Sequence, residues 1–215
     1  MKRAVIFANG RMETPPPFIK EINESDVIIA ADGGTQHCKS LSIMPNVIIG
    51  DLDSIDSKDL AIYQQAGVKI IQHPSHKDET DLELALLLTV KYEITQVYVI
   101  GALGARWDMT IANVLILANP EFSRLSIHLL DGSQELFILR GKSQLNINGK
   151  PGAMISLIPI SGDVPGITTQ GLEYALRNET LSFGATRGVS NVFANDHAEL
   201  SVMDGILLIC LDYHQ

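Results

Sequence analysis

Val27-Ile28-Ile29-Ala30-Ala31-Asp32-Gly33-Gly34 and, after a segment of helical character near Gln36, Val47-Ile48-Ile49-Gly50-Asp51-Leu52-Asp53-Ser54 decide the fold. Each stretch opens with an unbroken apolar run and closes on glycine and aspartate. A strand with no polar alternation is one covered on both faces, the condition of a parallel sheet between helix layers. The pattern extends in both directions. Ala4–Ala8, Val68–Ile71 and Val97–Ile100 read as further strands, and Lys58–Gln65, Leu82–Val90 and Thr110–Ala118 as helices. Such alternation predicts an α/β domain with a mainly parallel, Rossmann-like sheet, ending near Gly132.

From Ser133 onward the pattern changes. Leu136–Leu139, Leu145–Ile147, Met154–Ile158, Leu181–Phe183, Val192–Ala194 and Ile206–Leu211 read as short strands. Turn signals such as Asn148-Gly149, Pro151-Gly152 and Asp204-Gly205 separate them, with no helix between. The expectation is two domains in series: α/β over residues 1–132 and a smaller all-β sandwich over 133–215. Pro15-Pro16-Pro17 reads as a stiff loop entering a helix at Phe18.

Composition narrows the function. A chain of 215 residues with 46% hydrophobic and 19% charged residues can bury a sizeable core and is not a disordered composition. Sixteen basic against 25 acidic residues, a net charge of −9, leave no general footprint for nucleic acid or anionic membrane. Cys38 and Cys210 are too few for a disulfide framework or a zinc site and read as reduced, buried thiols. The apolar start stops at Asn9-Gly10, too short for a secretory segment, and no run approaches the roughly 20 residues that span a bilayer. The expected compartment is the cytoplasm.

In open α/β sheets ligands bind beyond the carboxyl ends of the strands, which is where this chain places its acids. Asp51 and Asp53, at i and i+2, project to one side of an extended chain, where a cation such as Mg²⁺ would relieve their repulsion. The alternative is an Asx turn capping the segment at Ser57. Thr80 and Glu83 form a capping box that accounts for Glu83 but not for Asp81, which is free to supply a third carboxylate. Lys77 offers a point charge for phosphate. Gly33-Gly34 either admits a phosphate or makes a tight turn into a helix. Arg106 can fork onto phosphate oxygens, and Asp108 can act there or simply cap a helix. No G-x-x-x-x-G-K-[ST] occurs, and no G-x-G-x-x-G follows the first strand, which disfavours P-loop kinases and ordinary nicotinamide dehydrogenases.

Over nearly its whole length the chain resembles the thiamine pyrophosphokinase family. The resemblance is carried by Ala31-Asp32-Gly33-Gly34, Gly50-Asp51-Leu52-Asp53-Ser54, Lys77-Asp78-Glu79-Thr80-Asp81, Gly101–Asp108, Thr169–Leu176 and Gly188-Val189-Ser190-Asn191, in the family's order. It implies transfer of diphosphate from ATP to the hydroxyl of thiamine, giving thiamine diphosphate and AMP. By the same resemblance Asp51, Asp53 and Asp81 hold Mg²⁺. Asp32, Gly33, Gly34, Lys77, Thr80 and Arg106 form the nucleotide side, and Asp108, Ser190 and Asn191 meet the substrate. The first domain would carry nucleotide and metal, the second the thiamine contacts, in a homodimer with the site between subunits. Tyr174 is expected to pack in the core. Ala105 stands where the family often has glycine, and Met109 where it has histidine. Two rival readings are a diphosphokinase acting on another hydroxymethyl heterocycle, such as a pterin, and a non-catalytic nucleotide or thiamine sensor.

Overall fold

A computed structural model describes residues 2–213, and the chain divides after Gly132 into two compact units. The first holds six strands: β1 (Arg3–Phe7), β2 (Val27–Ala31), β3 (Val47–Gly50), β4 (Lys69–Gln72), β5 (Gln96–Ile100) and β6 (Ser126–Asp131). Their order is β6-β5-β1-β2-β3-β4, and every pairing is parallel. Strand β1 lies inside the sheet, between β5 and β2. Val5, Ile6 and Phe7 have no exposed surface, and each side chain so buried contributes about 1.5–3 kcal/mol.

Four α-helices cover the connections: α1 (Gly34–Ser40), α2 (Ser57–Gln65), α3 (Asp81–Lys91) and α4 (Trp107–Leu115). The Asp56 side chain caps α2 by accepting the Lys58 N–H at 2.8 Å. Thr80 caps α3, its hydroxyl accepting the Glu83 N–H at 3.2 Å. Helix α4 starts three residues before the predicted Thr110 and tightens into a 3₁₀ turn over Ile116–Ala118. After Pro16 the chain enters the helical segment expected at Phe18 as a 3₁₀ helix, Pro17–Glu21.

Among its described residues the second unit contains eight strands: β7 (Gln134–Arg140), β8 (Ser143–Asn148), β9 (Met154–Pro159), β10 (Val164–Gln170), β11 (Arg177–Leu181), β12 (Asn191–Val192), β13 (His197–Val202) and β14 (Ile206–Asp212). Strands β12, β9, β14 and β7 pair antiparallel in that order, as do β11, β10, β13 and β8. Ile155, Leu157, Leu207 and Ile209 from the first set share one core with Ile167, Leu181, Leu200 and Val202 from the second.

Two sequence expectations change here. Leu181–Phe183 is not a strand, because β11 ends at Leu181 and the Phe183 N–H turns to the Asp163 carboxylate at 2.8 Å, leaving the ring exposed. Strands β6, β10 and β13 were not anticipated. Among the described residues no helix is long and apolar enough to cross a membrane.

Candidate functional site

Because β1, β2, β3 and β5 run parallel, the loops leaving their carboxyl ends share one edge. Asp32 follows β2 in a left-handed turn, φ 44°, and is 4% exposed. Its Oδ1 is buried without a hydrogen-bond partner, while Oδ2 receives the Asn9 amide at 3.4 Å. Buried polar atoms are nearly always paired, so a lone carboxylate oxygen marks a place prepared for a cation or donor.

Asp51 and Asp53 converge by a route other than the expected one. The chain is not extended there. Leu52 adopts φ 71° and the Asp53 N–H folds back to Asp51 Oδ1 at 3.2 Å, an Asx turn. That N–H is the main cause holding the Asp51 carboxyl below its ordinary range; burial opposes it, and the Ser75 hydroxyl and Lys77 charge assist. The turn does not cap α2, which Asp56 does. Ligand oxygens of Asp32, Asp51 and Asp53 lie within 4.8 Å of one another, a donor set of hard oxygens suited to a cation such as Mg²⁺.

Asp81 stands beside this trio but outside it. Gly50, at φ 147°, fits between the two acids: a Cβ there would approach Asp32 Cβ to 3.0 Å and Asp81 Oδ1 to 3.1 Å. Lys77 Nζ lies 2.9 Å from the same Asp81 Oδ1. That oxygen accepts no aligned hydrogen bond, so the attraction is ionic and leaves its lone pairs open. The fold therefore brings Asp32 to Asp51 and Asp53, and gives Asp81 a cationic neighbour.

A cavity of about 210 Å³ adjoins these groups, lined among others by Asn9, Thr80, Asp81, Arg106, Met109 and Asn113. Arg106 is the N-cap residue of α4 and makes no cap hydrogen bond; instead Nε donates to Asp108 Oδ1 at 3.2 Å. This ion pair is exposed. It raises the guanidinium pKa and is the leading cause that lowers the Asp108 carboxyl. Asp108 is thus in the first turn of the helix rather than at its cap.

Packing explains Gly34 without a phosphate, since a Cβ there would stand 1.9 Å from Phe7 O. The sequence reading passed over Asn9 and Asn113. Asn113, the one buried residue of α4, donates to Ala102 O at 2.7 Å and so fixes the loop before Arg106. The only signal for either was a polar residue where the surrounding pattern is apolar.

In the second unit, Asn191 is 5% exposed and its amide makes three hydrogen bonds. Oδ1 accepts the N–H groups of Tyr174 at 3.0 Å and Val192 at 2.8 Å, and Nδ2 donates to Tyr174 O at 2.8 Å. Ser190, at φ 58°, is exposed, and its N–H bonds Ser156 Oγ at 3.0 Å. The Tyr174 ring is 63% exposed rather than in the core, because Asn191 holds its backbone while Leu172 supplies the buried contact.

Fold and site together define an α/β enzyme with an acid-lined site at the carboxyl edge of its strands. Residues 18–129 match the model of the thiamin pyrophosphokinase catalytic domain, and residues 142–207 that of the thiamin pyrophosphokinase vitamin B1 binding domain. Thiamine pyrophosphokinase of Bacillus subtilis (strain 168) is 26% identical over 209 residues, 97% of this chain and 98% of the relative. Thiamine pyrophosphokinase 3 of Oryza sativa subsp. japonica is 30% identical, over 79% of this chain and 67% of the relative. The crystal structure of the Bacillus subtilis thiamine pyrophosphokinase superposes with a TM-score of 0.90 at 26% identity, covering all of both chains. This chain belongs to the thiamin pyrophosphokinase family.

Proposed function

We propose how this chain carries out the reaction that its family membership assigns to it, the ATP-dependent formation of thiamine diphosphate. The thiamine hydroxyl attacks the β-phosphorus of ATP. A new oxygen–phosphorus bond forms, the bond from that phosphorus to the α,β-bridging oxygen breaks, AMP departs with the oxygen, and the hydroxyl proton is released. Transfers of this type depend chiefly on positioning and charge neutralisation.

Asp51 and Asp53 hold Mg²⁺, with Asp32 brought to them by the fold and Asp81 alongside as the resemblance has it. The residues fit such an ion, since the trio is compact and one of its buried oxygens has no other partner. When bound, the ion offsets the negative charge of the triphosphate and of the carboxylates themselves. Lys77 and Arg106 supply fixed positive charge to the phosphates, Arg106 by exchanging Asp108 for a phosphate oxygen. Asp108 then orients the attacking hydroxyl. Gly33, Gly34 and Thr80 border the nucleotide, which lies along a Rossmann-like first domain (residues 1–132). Ser190 and Asn191 belong to the thiamine side in the second (133–215). The working form is a cytoplasmic homodimer with the thiamine pocket between subunits.

The observation that carries this reading is the unpaired Asp32 oxygen within a three-carboxylate cluster at the strand edge. Incubation with ATP, Mg²⁺ and thiamine, followed by chromatography, tests it. AMP and thiamine diphosphate are expected in equal amounts, and Asp51→Asn or Asp53→Asn is expected to cut turnover about a hundredfold or more. Folded protein that yields neither product overturns the activity. Near-normal turnover in both variants overturns the cation assignment alone.

A further inference from the structure

Asn9 is the first polar residue after the buried run Ala4–Ala8, and it is exposed, so core packing does not account for its amide. Its side chain lies flat on Gly33. A Cβ at residue 33 would stand 2.0 Å from Asn9 Oδ1, 2.3 Å from Cγ and 2.6 Å from Nδ2. Gly33 itself has φ −60° and ψ −5°, helical values that alanine adopts without strain. Its backbone does not require glycine. What glycine supplies there is room for the Asn9 amide.

From that seat one nitrogen faces two acid-bearing loops. Asn9 Nδ2 is 3.4 Å from Asp32 Oδ2 and 3.5 Å from Ser54 Oγ. The Ser54 hydroxyl in turn donates to Asp53 Oδ1 at 3.0 Å. The two amide contacts are at the long end of hydrogen bonding and weak singly. Their effect is directional. With Oδ2 turned to the amide, Oδ1 of Asp32 is the atom left buried and open.

We propose that Asn9, seated on Gly33, is a positioning residue for the divalent-cation site, fixing Asp32 directly and Asp53 through Ser54. The inference rests on reading Asp32, Asp51 and Asp53 as that site. Partners one shell behind metal ligands commonly set affinity by 10–100-fold, which gives the scale of effect.

Mn²⁺ alone, titrated into nucleotide-free protein and followed by the electron paramagnetic resonance of the free ion, separates the two ideas. Asn9→Ala is expected to weaken Mn²⁺ binding about tenfold with the melting temperature unchanged. Gly33→Ala keeps the amide but displaces it, and is expected to weaken binding comparably. The double variant is expected to be no weaker than the weaker single, because both changes remove one interaction. The Mg²⁺ concentration for half-maximal turnover should rise in parallel, with the thiamine KM unmoved.

If wild-type protein takes up no Mn²⁺, or Asp51→Asn binds it as tightly as wild type, the site reading falls and the proposal with it. If Asp51→Asn loses Mn²⁺ while Asn9→Ala keeps wild-type affinity, or if the two single effects add, the site stands and the role of Asn9 is overturned. Should either variant fail to fold, Ser54→Ala decides through the Asp53 arm, where full affinity overturns the proposal and a several-fold loss supports it.

Discussion

Lys77 Nζ lies 2.9 Å from Asp81 Oδ1, and its side chain is only 12% exposed although it precedes α3 rather than belonging to it. An ammonium held so close to the acid cluster balances charge before any ligand arrives. Lys77→Met is expected to leave Asp81 uncompensated beside Asp32 and to cost about 1–2 kcal/mol, discounted from a fully buried pair because Asp81 is partly solvated. For a chain of this size that lowers the melting temperature by roughly 3–6 °C. Adding Asp81→Asn should restore most of the stability while turnover stays low, since the double variant lacks both the cation and the acid proposed for the site. Turnover recovering together with stability would assign the pair to the fold alone.

Arg3 and Asp26 make another ion pair in the first unit, with the Asp26 side chain only 2% exposed. Arg3 Nε and Nη2 each reach an Asp26 oxygen at 2.7 Å, and the Asn23 N–H adds a third bond at 2.9 Å. Burial alone would raise the Asp26 carboxyl, but these bonds outweigh it and the net shift is downward. A carboxyl depressed in the folded state contributes stability that is fully present above its unfolded pKa, about 3.9, and lost as pH falls through the folded value. Arg3→Met should therefore destabilise the protein by about 3 kcal/mol near neutrality. Urea denaturation in series is expected to show that gap narrowing below about pH 4. A gap independent of pH would mean that Arg3 acts through its cation–π contacts with Phe18 and Tyr98, not through Asp26.

Most of the first unit was legible because β1, β2, β3 and β5 are apolar on both faces and need no pairing information to be found. Strand β6 was not, since it follows 3₁₀ turns rather than a helix and carries His128 within it. Strand β10 opens with Val164-Pro165-Gly166 and shifts register beside β11, so local residues signal a turn while the sheet keeps the segment. The acids of the site were visible as residue types after strands. Which of them group together was not, because that depends on the left-handed turns at Asp32 and Leu52. The role of Asn9 was not legible for a similar reason. Asn9-Gly10 reads as a turn signal, and its partner Gly33 is close only in space.

Cysteine chemistry offers a test independent of the site. Burial pushes the Cys38 thiol up to about 12 and the Cys210 thiol to about 11. The thiolate is the reactive form, so at pH 8 neither side chain should react measurably with an aromatic disulfide reagent in the native protein. Two thiols per chain should react in denaturant. Cys210 is half-buried rather than buried as expected, so prompt modification there in native protein would show that its exposed edge governs its reactivity.

The amide of Asn191 makes two hydrogen bonds to the Tyr174 backbone and one to the Val192 N–H, whereas the neighbouring Ser190 hydroxyl is on an exposed residue. The two residues, adjacent in sequence, should therefore fail differently. Asn191→Ala leaves the part-buried N–H and carbonyl of Tyr174 and the Val192 N–H without this partner, and is expected to cost about 1–3 kcal/mol. Any loss of thiamine binding in that variant should follow from a displaced Tyr174 loop and accompany the fall in melting temperature. Among the described residues Ser190→Ala removes no bond made by its side chain, because its N–H, not its hydroxyl, bonds Ser156 Oγ. It should leave the melting temperature within about 1 °C while raising the thiamine KM. Paired thermal melts and thiamine titrations decide between the two routes. A stable Asn191→Ala protein with impaired thiamine binding would make Asn191 a direct contact, and an unaltered thiamine KM in Ser190→Ala would remove Ser190 from the substrate side.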